Sequence, residues 1–325
     1  DKAKVFVNSP NAINGNSQDK NDFSSAKFQS ESTGLVDLIG TESEIISGIR
    51  ELISVLPANN EDDMSYIECT DDLNRLTPEL EGRISDPALA LNIISDSGYV
   101  LEVKKNFARE MFTGFIRLNG NTVGVVANRR ALYDENGEIS DEFENVLSHQ
   151  GSDKAAGFVE FCDAFNIPVL TLVDVKGYRA TKCSEKRMPK AGAKLTYAYA
   201  NATVPKVSLI VGDAYGSASL SMNSKSIGAD IVFAWENAKM GMMNASEAVK
   251  IIYSKEIDSS EDIKETLDEK TREYENLQNS AVYAARRGYV DDIITVADTR
   301  KRLLAAFEML FTKKEDRPYK KHGSI

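Results

Sequence analysis

The chain has 325 residues, enough for one large or two medium cores, and an ordinary apolar fraction of 42%. Its formal net charge of -11 argues against a nonspecific grip on nucleic acid or an anionic membrane surface. Its three cysteines, Cys69, Cys162 and Cys183, lack metal-site spacing, and their odd number suits a reducing compartment better than a disulfide framework.

Residues 3–8 (AKVFVN) read as a short strand before a long polar loop, and GLVDLIG at 34–40 reads as a second strand. Apolar spacing in ESEIISGIRELISVL predicts a helix over 42–56, and Pro57 to Asp63 forms the best linker. Residues 1–60 are too few to close a core alone. Residues 64–84 are acidic and weakly patterned. A helix from Asp86 to Ser95 leads to strand YVLEVK (99–104), then to a hairpin in which Asn119-Gly120 joins MFTGFIRL to TVGVVAN. Residues 130–151 read as a polar surface loop that could contribute to a site.

The densest order lies between 153 and 243. Ser152 is the expected cap of helix DKAAGFVEFCDAF, which carries Cys162 on its apolar side as a core filler. PVLTLVDV (168–175), PKVSLIV (205–211) and DIVFAW (230–235) read as buried strands. A polar segment with Gly177 and a helix through AKLTYAYANA separate the first two. After the second, the small residues 214–218 turn into another helix. KMGMM (239–243) is an apolar edge before a helix over 244–254, with Asn244 and Glu247 in capping-box spacing. Continuous β-branched strands alternating with amphipathic helices predict an α/β fold. Its parallel sheet is covered on both faces, with right-handed crossovers and chemistry at the strand ends. A charged helical run over 257–288 ends at Gly288, and a short extended piece leads to a last helix from about Ala297 and a basic tail.

The two histidines, His149 and His322, fall in polar and mobile segments away from any serine or cysteine partner, so imidazole acid–base chemistry is not expected. Glycines 177 and 212 lack the spacing of a dinucleotide fingerprint, and no metal-ligand cluster is visible. What remains is backbone. Gly216, Ser217 and Ala218 open a helix after a strand, where unpaired N–H groups could face a cleft and hold negative charge on an oxygen. Tight helix packing is the plainer explanation of the same small residues. Gly177-Tyr178 ends a strand on the same side. Lys182, Lys186, Arg187, Lys190 and Lys194 then form a basic loop, suited to a phosphate or carboxylate ligand or simply solvated. No apolar run is long enough to span a bilayer and no signal peptide is visible, so the expected location is cytoplasmic.

Several long stretches, in order, resemble one family. They are LISVLPANN, SDKAAGFVEFCDAFNIPVLTLVDVKGY, AKLTYAYANATVPKV, AYGSASLSMNSKSIGAD, YVDDIITVADTRKRLLAAFEML and EDRPYKKHG. They are similar to carboxyltransferase subunits of biotin-dependent acyl-CoA carboxylases and decarboxylases, of the acetyl-, propionyl-, methylmalonyl- and glutaconyl-CoA types. The resemblance implies a crotonase-like (ClpP/crotonase) superhelical βαβ fold in two domains. Residues 65–325 then form the C-terminal carboxyltransferase domain, and 1–60 are the remnant of an N-terminal one. The chain accordingly looks like the back part of a longer polypeptide, cleaved or encoded separately.

The function implied is carboxyl transfer between carboxybiotin on a carrier protein and an acyl-CoA. The N-terminal part supplies most of the CoA site, and an active site lies between subunits of a homo-oligomer, a dimer or a trimer of dimers. The implied partners are a biotin carboxyl carrier protein or domain, the N-terminal part on the same or another chain, and a biotin carboxylase or membrane decarboxylase subunit. Catalytic donors map to the amides of Ser217 and Ala218, shaped by Gly216. Gly177 and Tyr178 join them on the biotin side, and Lys190 and Lys194 are candidate substrate contacts. Two alternatives stand beside this: a catalytically degenerate structural subunit, and a biotin-independent crotonase-type acyl-CoA enzyme.

The sequence also departs from the family pattern. Lys176 stands where proline is usual and Tyr178 replaces phenylalanine. In the following loop Glu185 and Lys190 are the nearest matches to a glutamate and an arginine. Ser217 replaces a glycine, Leu220 an aspartate, and Asn244 and Glu247 stand where glycines are common. These changes bear on the substrate more than on the fold.

Overall fold

The computed structural model describes residues 3–5, 7–9, 11, 12, 15, 22–59, 65–260 and 262–317. Most of the Pro57–Asp63 linker, the end of the basic tail and His322 lie outside them. Neither early strand forms among the described residues. Lys4 makes one isolated bridge with Ser25, and residues 34–40 pair with no strand. The Leu38 side chain instead occupies the space above Gly48 of the next helix. That contact between neighbouring segments replaces a ladder.

Helix α1 (Ala26–Glu31) precedes this stretch and α2 (Glu42–Val55) follows it, opened by a reciprocal capping box between Thr41 and Glu44. α2 buries Val55 in the core, with Leu52 and Leu56 packed against it. Helix α3 (Pro87–Ile94) begins at Asp86, whose carboxylate accepts from the Ala88 amide at 3.1 Å. β1 (Val100–Glu102) pairs antiparallel with β2 (Met111–Leu118), which pairs antiparallel with β3 (Asn121–Asn128). Both turn residues of the hairpin are left-handed, with φ of 51° at Asn119 and 76° at Gly120, the geometry a two-residue hairpin requires.

The expected loop over 130–151 is partly ordered as a ribbon of β4 (Ala131–Tyr133) and β5 (Ile139–Glu142). Helix α4 (His149–Ala164) starts earlier than predicted. Its cap is Ser148, whose Oγ accepts from the Gly151 amide at 2.9 Å, while Ser152 lies inside and donates to the Ser148 carbonyl. β6 (Val169–Val175) has every residue buried. The basic segment that follows is no loop. It forms the first turns of α5 (Lys182–Asn201), capped by Thr181 and running through Pro189. Lys206 closes its other end, Nζ donating to the Tyr199 and Ala202 carbonyls at 2.8 and 2.9 Å.

β7 (Lys206–Tyr215) leads into α6 (Gly216–Ser221), then β8 (Ile231–Trp235), β9 (Lys239–Gly241) and α7 (Ala245–Ile252). Asn244 caps α7, accepting from the Glu247 amide at 2.9 Å. The predicted single run over 257–288 is broken. It contains the end of α8 (Ser254–Asp258), α9 (Ile263–Tyr274), a π turn at Glu275–Asn279 and α10 (Ala281–Arg286). β10 (Asp292–Ile294) and α11 (Thr299–Leu310) complete the described chain.

The sheet runs β1-β2-β3-β6-β7-β8-β10, with β9 on the far end of β7. From β3 to β10 all pairings are parallel, and the hairpin makes the whole sheet mixed. One face packs Cys162, Leu195 and Tyr199 of α4 and α5 against Val126, Val169 and Val173. The other packs Leu91, Ile94, Leu303 and Phe307 of α3 and α11 against Val125, Leu172 and Leu209. Both faces are covered, so the parallel strands are mostly apolar along their length.

Lys154 of α4 is 4% exposed and donates to the Phe107 and Met111 carbonyls at 2.9 and 2.7 Å. Burial pushes its amine down to about 7. Between that value and the ordinary lysine range the unfolded chain binds a proton that the folded one does not. Lys154 therefore weighs against folding most fully below pH 7, and this penalty fades as pH rises toward the unfolded value. Denaturant titrations at several pH values should show Lys154→Met losing a stability slope of roughly 1 kcal/mol per pH unit above pH 7. Parallel curves for the variant and the parent would contradict this.

Candidate active site

β6 and β7 are parallel neighbours, and Val175 pairs with Ala214, so Gly177-Tyr178 and Gly216–Ala218 leave the sheet side by side. The expected grouping is therefore present. The Tyr178 hydroxyl lies 3.3 Å from Ser221 Oγ, and Thr196 of α5 donates to the same oxygen at 3.2 Å. Gly177 is fastened from the other side, its carbonyl accepting from the Leu147 amide at 2.8 Å.

Gly216 has φ of 62°, and a Cβ there would stand 3.2 Å from the Met242 carbonyl oxygen. Glycine answers both the left-handed backbone and the close approach. α6 begins without any side-chain cap. The amides of its first turn have no acceptor within the helix. Ser217 is exposed, whereas the Ala218 methyl is buried and anchors the turn to the core.

Beside Gly216 opens a cavity of about 360 Å³. Ile210, Ala214, Val232 and Met240 line it along with Tyr283 and Arg287, whose guanidinium stacks 4.4 Å above the Tyr283 ring.

The basic residues sit elsewhere. Lys182, Lys186, Arg187 and Lys190 are exposed on the first turns of α5, without an ion pair among the described residues. Lys194 reaches back toward Asp153 of α4 at 3.9 Å. The α5 residues that meet the turn are Gly192 and Thr196, through Tyr178 and Ser221.

His149 is neither exposed nor in a polar loop. It is 9% exposed at the start of α4, and neither ring nitrogen has a hydrogen-bond partner among the described residues. Cys162 is fully buried, which pushes its thiol well up and fits a core filler. Among the described residues no group of His, Cys, Asp and Glu could hold a metal ion, and no helix is long and apolar enough to cross a membrane. The residue that sequence reasoning passed over is Asp174, buried in β6 beside the turn.

Parallel strands ending at an uncapped backbone turn beside a cavity are the working parts of a crotonase-like α/β protein, and that is the fold of this chain. A model of the carboxyl transferase domain matches residues 1–325, and the chain belongs to that family. It is 39% identical to the putative propionyl-CoA carboxylase beta chain of Bacillus subtilis (strain 168), covering 99% of this chain and 63% of the relative. It is 37% identical to the methylmalonyl-CoA decarboxylase subunit alpha of Propionigenium modestum, again over 99% of this chain and 63% of the relative. Among solved structures, hexameric transcarboxylase 12S with methylmalonyl-coenzyme A and methylmalonic acid bound superposes with a TM-score of 0.90 at 36% identity. That match covers 99% of this chain and 62% of the other. The chain thus spans less than two thirds of the length of these relatives.

Proposed function

We infer that this chain supplies the biotin side of a biotin-dependent acyl-CoA carboxyltransferase. The observation that carries the reading is the uncapped turn at Gly216–Ala218, set on two adjacent strand ends and open beside a cavity. Exposure of Ser217 and the absence of bulk at Gly216 fit the approach of a ureido oxygen to these amides. Bound biotin supplies the carrier chemistry for the carboxyl group. The Ser217 and Ala218 amides hold negative charge on oxygen, fixed in place before the reaction. Gly177 and Tyr178 lie next to the turn at the neighbouring strand end. The apolar cavity lining excludes water, and Lys190 and Lys194, with the other cations of α5, attract the phosphates of an acyl-CoA.

The acyl-CoA side would come from the further length that the relatives possess, on the same or another chain. Residues 1–60 then belong to that first domain and 65–325 to the second. The exposed apolar side chains Ile46, Ile49 and Ile53 of α2, with Leu35 and Leu38, offer it a surface. A homo-oligomer, a biotin carrier protein and a cytoplasmic location complete the proposal.

The test supplies the assembled protein with free biotin or a biotinylated carrier domain and a panel of acyl-CoA and carboxyacyl-CoA substrates. Carboxyl exchange is expected with at least one of them. Biotin-independent turnover of an acyl-CoA would mean a hydratase- or isomerase-like enzyme. Absence of any turnover would mean a structural subunit.

A further inference from the structure

The β6–β7 ladder breaks at one place. Val173 pairs with Ile210, but Val175 pairs with Ala214, so β7 uses two residues more than β6 between these contacts. Asp174, 5% exposed, sits opposite the extra length. Its Oδ1 accepts from the Asp213 amide at 3.0 Å and from Asn145 Nδ2 at 2.8 Å. Its Oδ2 accepts from Arg130 Nε at 2.9 Å, and its own amide donates to Asn128 Oδ1 at 3.1 Å. Gly212 passes so close that a Cβ there would fall 2.5 Å from Asp174 Oδ1. The carboxylate thus takes the place of ladder bonds that the bulged strand gives up. Three residues past the Asp213 amide, the chain turns at Gly216.

We propose that Asp174 is a positioning residue, whose carboxylate fixes the Gly212-Asp213 bulge and through it aims the Gly216–Ala218 turn. Asp213, Asn145 and Arg130 occupy its oxygens, so it acts through β7 rather than on substrate. The inference rests on the reading of the Ser217 and Ala218 amides as donors. Donor geometry is sensitive, since a displacement of about 1 Å can cost roughly 100-fold in rate.

The test uses the complete assembly, with methylmalonyl-CoA and free biotin as probes and thermal unfolding measured alongside. Asp174→Ala leaves the Asp213 amide and Asn145 without their acceptor, and kcat is expected to fall about 10- to 100-fold with KM for the CoA ester nearly constant. Asp174→Asn keeps an oxygen toward Asp213 and should hold kcat within about threefold of the parent. Gly212→Ala crowds the carboxylate and should reproduce the loss, which covers the case in which Asp174→Ala does not fold. A folded Asp174→Ala or Gly212→Ala protein with parental kcat overturns the inference. So does an asparagine variant as impaired as the alanine one, because charge rather than the bond to β7 would then matter. If Ser217→Pro lowers the rate while these variants do not, the donor reading survives and Asp174 loses its role. If Ser217→Pro is without effect, the donor reading falls first, and this inference with it.

Discussion

Ser217→Pro is expected to lower carboxyl transfer by roughly 10- to 1000-fold while leaving the protein folded. Proline removes one N–H and adds little else. It is tolerated in the first turn of a helix, where the amide has no helical acceptor and φ near the proline value is already required. The residue before proline must avoid the right-handed helical region. Gly216, at φ of 62°, already does. The donor acts on charge that develops during the reaction, so kcat should fall while KM for the acyl-CoA hardly moves. Ser217→Gly keeps the N–H and should keep the rate. Steady-state kinetics with thermal unfolding curves decide the matter: a folded proline variant with parental turnover removes the Ser217 amide from the chemistry.

The parts of the site that could be read from the chain are those encoded locally. β6, β7 and β8 are rich in apolar residues on both faces because both sheet faces are covered, and Asn119-Gly120 has the backbone that its hairpin demands. The small residues after β7 marked the turn. Local pattern failed where a distant contact decides. GLVDLIG has strand-like composition, yet Leu38 packs on Gly48 and finds no ladder. The first turns of α5 hid behind their cations and Pro189, a residue that normally argues against a helix interior. The first turn of α4 contains Gly151, a poor helix former, and lies ahead of the expected cap at Ser152. Asp174 carries no local sign of its role. Its meaning comes from Asn128, Asn145 and Asp213, which lie 46, 29 and 39 residues away in the chain. His149 read as polar surface because no spacing rule reveals that its helix turns it inward.

Arg129→Met should be among the most destabilising single substitutions, costing about 3–5 kcal/mol. The guanidinium is 2% exposed at the end of β3. It meets Glu102 through two bonds of 2.9 Å, Asp86 at 3.0 Å and the Arg109 carbonyl at 3.1 Å, and lies 5.5 Å over the Phe112 ring. Asp86 is also the cap of α3 and Glu102 belongs to β1, so one side chain ties a helix start and an edge strand to the middle of the sheet. Methionine fills much of the volume but strands two carboxylates in a poorly hydrated place, and that uncompensated charge is the larger part of the loss. A protein of ordinary stability has only about 5–15 kcal/mol to lose. Adding Glu102→Leu to Arg129→Met should therefore restore part of the stability, although the double variant has fewer polar bonds than either parent or single variant. Equilibrium denaturation of the parent, Arg129→Met and the double variant tests this, and Glu102→Leu alone closes the cycle that measures the coupling. A single variant within about 1 kcal/mol of the parent, or a double variant no better than the single, would show that the carboxylates relax into solvent and that the guanidinium does not hold these elements together.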